Sequence, residues 1–160
     1  MNAKVGADGE PNVRYLTDIL ASARIGSARV LLPITDPYVA HHAALGSACW
    51  VYVADGELAE ARGVLEQVEG VEEVLPRATA AASLSLPADR IGDLVMLGDR
   101  QTVFGKRASD HDLSALRGPL RSHGGRHEQE VPILCSTPLS PPAGELSNAD
   151  VHFLLLGGEA

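Results

Sequence analysis

Residues 105–130 form a long polar stretch, punctuated by glycine and proline, with neither a helical nor a strand period, and the apolar run 131–135 follows directly. Unstructured connections of that length are uncommon inside a compact domain unless they carry function. This stretch constrains the fold more than any other, because it has to be a loop held open beside a buried strand. Inside it lies Arg121-Ser122-His123-Gly124-Gly125. Glycines after a histidine let the backbone take positive φ and leave room for a neighbour to approach the ring, geometry suited to a metal ligand. By residue chemistry alone the same pattern also fits a plain loop histidine.

Around that loop the periodicities predict alternating short elements. Residues 1–11 read as loop, and Asn12 is positioned to cap a helix with Val13, Leu16, Ile19 and Leu20 on one face. Residues 29–34 form a short apolar strand ended by Pro33 and Pro37, and 49–54 a second strand. Asp55-Gly56 turns into a helix with Leu58, Ala61, Leu65 and Val68 on its stripe, stopped by Glu69-Gly70, and 71–75 returns as a strand. Residues 78–84 predict a short helix, 93–97 and 101–104 a hairpin around Gly98-Asp99, 131–135 a buried strand, and 150–156 a last helix or strand. A strand–helix–strand unit this small needs partners to cover its faces.

Composition narrows the function. The 160 residues are 45% hydrophobic but only 4% aromatic, enough for an aliphatic core. A net charge of −8 excludes a basic nucleic-acid or anionic-membrane surface. No run approaches the roughly 18 apolar residues of a membrane span, and Met1-Asn-Ala-Lys4 leads into no signal-peptide core. Cys49 and Cys135, each in an apolar run, read as buried free thiols of a reducing cytoplasm.

Three separated motifs carry a family resemblance: Met1-Asn-Ala-Lys4; Leu32-Pro-Ile-Thr-Asp-Pro-Tyr-Val-Ala-His-His-Ala-Ala-Leu-Gly-Ser47; and Asp93-Leu-Val-Met-Leu-Gly-Asp99 through Asp110-His-Asp to His123-Gly-Gly125. In this order they resemble the C-terminal portion of phosphonoacetate hydrolase, a two-zinc member of the alkaline phosphatase superfamily. The resemblance implies an α/β fold: the C-terminal part of an alkaline-phosphatase-like doubly wound core plus a small α+β cap. It places a loop at 1–11, the cap-like region at 12–90 and part of the core at 91–160. It implies two zinc ions and a small anionic phosphonate as substrate; the cytoplasmic location rests on the thiols and the missing signal-peptide core, and the uncovered faces leave room for a homo-oligomer.

His123 matches the family's last zinc ligand. Arg29, at the start of a strand leading into the second motif, is the candidate for gripping the substrate carboxylate, since its fork matches carboxylate geometry; a solvated strand-end arginine is the competing reading. Position 43 is Ala where the motif leads one to expect Gly. Adjacent residues in an extended loop point opposite ways, so Asp110-His111-Asp112 reads as a loop fixing its own turns, and His41-His42 as lining without a metal. His127 and His152 read as surface or packing residues.

The family's nucleophilic threonine and remaining ligands precede an Asp-His-Gly that leads into a segment like Met1–Lys4. None of Thr17, Thr35, Thr79, Thr102 and Thr137 sits in such a context. The expectation is that the catalytic half lies before Met1, and that the chain alone is inactive and prone to associate through exposed faces of strands 93–97 and 131–135. Two other readings stand beside it: a different phosphodiesterase or nucleotide pyrophosphatase of the superfamily, and a non-catalytic remnant.

Overall fold

The computed structural model of the chain describes residues 1–33, 44–114, 116–134, 136, 144 and 146–156. They fall into two compact units, Met1–Glu130 and Val131–Ala160.

The first unit opens with β1 (Asn2–Ala3) and β2 (Val13–Tyr15), which runs straight into α1 (Leu16–Ser22). There follow β3 (Arg29–Leu31), β4 (Ala48–Tyr52), α2 (Leu58–Leu65), β5 (Val71–Pro76), α3 (Arg77–Leu84), β6 (Leu94–Gly98), β7 (Val103–Gly105) and β8 (Arg121–Ser122). Strands β3, β4, β6 and β5 lie side by side in that order in one antiparallel sheet. Every residue of β6 is buried, as a central strand covered on both faces requires. Its alternation sorts the two faces. Leu94 and Met96 join Cys49, Val51 and Val74 beneath α1 and α2, where Leu16, Leu20, Ala61 and Leu65 complete the main core. Val95 points the other way, with Trp50 and Leu75, against Ala80 of α3.

Two short pairs flank this sheet. β2 and β7 run parallel, and β1 and β8 antiparallel. Gly46 and Phe104 exchange backbone hydrogen bonds of 3.3 and 2.8 Å, which tie β7 to the residues entering β4. The unit is mixed α/β, and β6, beyond residue 90, fills the centre of a sheet whose other strands precede it.

Several predicted elements form as read, among them α2, α3, β4 and β5. The hairpin does not. Both edges of β6 are taken by β4 and β5, so the chain turns at Asp99 and β7 finds the free edge of β2 instead. The helix predicted from Asn12 begins only at Leu16, because Val13–Tyr15 is claimed by β7 and the Asn12 side chain donates to Thr102 Oγ1 at 3.0 Å rather than capping. Strand 94–98 presents no open face.

In the second unit, residues 131–134 form no strand, and Val131, Ile133 and Leu134 are exposed; the described residues of this unit offer the run no strand with which to form a ladder. Ser147 donates from both its amide and its hydroxyl to Asp150 Oδ2, 2.7 Å each, and starts the turn that becomes α4 (Val151–Leu156). The readings made for Thr35, His41, His42, Ala43, Cys135 and Thr137 fall outside the described residues.

Candidate functional site

The loop carrying His123 is fastened from three directions. β8 delivers it, pairing Ser122 with Asn2 and Arg121 with Ala3. Lys4 N donates to Leu120 O at 2.8 Å, and Ser122 Oγ to Leu45 O at 3.0 Å. The amide of buried Ser47 donates to His123 O at 2.9 Å, while its hydroxyl donates to Thr102 O at 2.9 Å. The chain then turns through Gly124 at φ +104°. A Cβ at Gly125 would lie 3.1 Å from Ser47 Cβ and 3.2 Å from Gly98 O, so the second glycine serves close approach. All three sequence motifs thus meet here: Lys4 from the first, Leu45 and Ser47 from the second, His123 from the third.

His123 is half-buried, and its Nδ1 is buried with no hydrogen-bond partner among the described residues. Buried polar nitrogens are nearly always satisfied, and an orphan costs about 1–3 kcal/mol. An unpaired imidazole nitrogen is the donor that a zinc ion takes, so this residue fits the metal implied by the resemblance. It is one ligand. Among the described residues no group of three His, Cys, Asp or Glu side chains is arranged to hold an ion.

The residues just after the glycines clamp the loop. Glu128 is nearly fully buried; its Oε1 accepts from Lys4 Nζ and Asn2 Nδ2, 2.8 Å each, and its Oε2 accepts from Gly125 N at 3.0 Å. Burial works against its charge, but the Lys4 ammonium, the Asn2 amide and the Gly125 amide outweigh it and hold the carboxyl below its ordinary range. Arg126 engages the Glu73 carboxylate through two nitrogens, and His127 Nε2 lies 2.9 Å from Glu72 Oε2. Consecutive strand residues ordinarily face opposite ways. The register shift between Val71 and Glu73 in β5 explains why Glu72 and Glu73 both reach this turn.

The other predicted residues lie elsewhere. Arg29 is exposed at the start of β3 and stacks over the Tyr52 ring, 4.4 Å from its centroid. Tyr52 ends β4 whereas Ser47 precedes it, so about 16 Å of strand separates Arg29's partner from the residue that holds His123. Asp112 accepts from the amide and hydroxyl of Ser114 at 3.0 and 2.6 Å, and His111 lies against the Tyr15 ring, so this triplet shapes its own loop. Cys49 is a buried free thiol, its pKa pushed far up by burial despite a Met96 backbone hydrogen bond. The Lys4–Glu128 pair was invisible to sequence reasoning. The signal that was available is Lys4 itself, a lysine inside a family motif.

No family model matches the chain. Its mixed α/β architecture is that of part of a hydrolase of known structure. Two solved structures of phosphonoacetate hydrolase from Sinorhizobium meliloti 1021, one in complex with phosphonoformate and one with phosphonoacetate, are each 42% identical to it, with a TM-score of 0.77, over 98% of this chain and 39% of theirs. Phosphonoacetate hydrolase of Penicillium oxalicum is 61% identical over 31 residues, 19% of this chain and 43% of that protein. The chain is a relative of the phosphonoacetate hydrolases, and it spans about two fifths of the length of those it matches. No helix among the described residues is long and apolar enough to cross a membrane.

Proposed function

We propose that this chain forms part of a phosphonoacetate hydrolase, in which the C–P bond of phosphonoacetate is cleaved by water to give acetate and phosphate, and that His123 contributes one ligand to a two-zinc centre. The observation that carries this reading is the 42% identity along 98% of the chain to a protein solved with phosphonoacetate bound. The orphan Nδ1 of His123 supports its part in it. Zinc in such a site polarises the phosphonate oxygens and stabilises charge on them. This chain's own contribution is to hold an imidazole in a fixed direction. Further ligands and the nucleophile are needed beyond the described residues. Arg29 as the substrate-carboxylate contact rests on the resemblance alone. The buried thiol of Cys49 supports a reducing, cytoplasmic setting.

The test uses the complete enzyme and its His123→Ala variant, with zinc counted by elemental analysis and phosphate release followed from phosphonoacetate and from a phosphodiester. The expected result is turnover of phosphonoacetate in preference, with about one zinc and most activity lost in the variant. Unchanged zinc content would remove His123 from the centre, and preferential turnover of the diester would point to another activity of the superfamily.

A further inference from the structure

Glu128 is a buried carboxylate for which metal binding by His123 has no direct use, yet its contacts converge on the loop that carries His123. Lys4 Nζ, 0% exposed, divides its donors between Glu128 Oε1 at 2.8 Å and Arg100 O at 3.0 Å. Removing two charges from water is expensive, and well-packed apolar residues of similar volume would often stabilise a fold as well. What they would not supply is direction. The second carboxylate oxygen fixes the Gly125 amide, two peptides beyond His123, while Ser47 fixes the His123 carbonyl. Between these two anchors lies only Gly124, in a conformation open mainly to glycine. Arg126 and His127 hold the same turn from the side of β5.

We propose that Glu128, neutralised by Lys4 and oriented by Asn2, is a positioning residue that fixes the His123 imidazole with Nδ1 unpartnered, so that the ligand is aligned before a metal ion arrives. The purpose of this device rests on His123 being a metal ligand; its geometry does not. A carboxylate held by three donors fixes the peptide after Gly124, whereas the anchors at Ser122 and Ser47 end at the His123 carbonyl and leave the turn beyond it less constrained.

The full chain, labelled with 15N, is read for the His123 ring signals and for exchange of the Gly125 amide with solvent. Glu128→Gln keeps the shape and removes the charge. Lys4→Met removes the counter-ion, and Asn2→Ala removes one donor should Lys4→Met fail to fold. Arg77→Met, which breaks the 2.6 Å pair with Asp93 elsewhere in the unit, controls for general loosening. Displaced or broadened His123 ring signals and at least tenfold faster Gly125 exchange in Glu128→Gln, with neither in Arg77→Met, are the expected result. Unmoved His123 signals in a folded Glu128→Gln, or equal changes in Arg77→Met, overturn the proposal. Zinc counted in the complete enzyme and its His123→Ala variant separates the two readings: unchanged zinc content there removes the ligand assignment, while the ring and amide signals of the chain still decide the positioning.

Discussion

Substituting Gly70 by Ala should damage the unit far more than a single methyl suggests. Gly70 has φ +83°, where an Ala costs about 1–2 kcal/mol. Its added Cβ would lie 2.0 Å from Thr102 Oγ1 and 2.9 Å from Thr102 Cβ, so Thr102 has to move. Thr102 is fully buried, and its hydroxyl accepts from Asn12 while its carbonyl accepts from Ser47. Overpacking of this kind costs about 1–3 kcal/mol, and a lost hydrogen bond about 0.5–1.5. The smaller unfolded-state entropy of Ala offsets roughly half to one kcal/mol. A net loss of about 2–5 kcal/mol is expected, a large share of a typical domain's stability. Urea unfolding followed by fluorescence of Trp50, the sole tryptophan, measures it. Adding Thr102→Ala to the variant removes Oγ1 but leaves Cβ, so part of the loss returns and the pair couples by at least about 0.5 kcal/mol. The displacement should also reach the site, through Thr102 O and Ser47, as a shift of the His123 amide signal. A Gly70→Ala protein within about half a kcal/mol of the parent, or one that Thr102→Ala fails to improve, would refute this account of the turn.

Three further outcomes follow from the same contacts. Met96→Ala, in the wholly buried strand β6, should lower unfolding free energy by about 2–5 kcal/mol by urea titration, with the cost set by how far the core relaxes. Glu128 and Glu73 both have lowered pKa values, so their stabilisation is present above the unfolded carboxyl value near 4.3 and is lost as pH falls through the folded values; the urea midpoint should hold from pH 7 to about 5 and drop below about 4, less steeply in Glu128→Gln. In the complete enzyme, Arg29→Ala should raise KM for phosphonoacetate about 10- to 100-fold more than for an aryl phosphate if Arg29 grips the carboxylate, whereas equal effects would mark the Tyr52 stack as its whole role.

Helix α2 and strands β4 and β5 were legible because period, Gly56 and Gly70 mark their faces and ends. The pairing partners were not. Periodicity tells which face of a strand is apolar but not which edge is free, and so 101–104 was assigned to β6 when β6 had no edge to give. The same limit moved the start of α1: Asn12 has the chemistry of a cap, but it lies beside Thr102 only because β2 and β7 are parallel neighbours. His123 was legible from a local signature, two glycines and a long polar loop. Its supports were not, since Lys4 and Glu128 lie 124 positions apart and neither has a local signal of burial.

That separation bears on what the three motifs have in common. Lys4, Ser47 and Gly125 perform no chemistry in the proposed reaction, yet each contacts the loop around His123 or the carboxylate that orients it. A ligand whose direction is fixed without the metal spares the ion the cost of ordering the loop. Under the proposal above, three backbone and side-chain anchors drawn from distant parts of the chain do this, and each depends on a specific partner. Lys4 and Glu128 need each other, Ser47 needs Thr102 beside it, and position 125 needs glycine against Ser47. Residues that only positioned a strand would be exchangeable within their polarity. These are each held by a specific partner, which supports the proposed reading of the loop as a built support for His123.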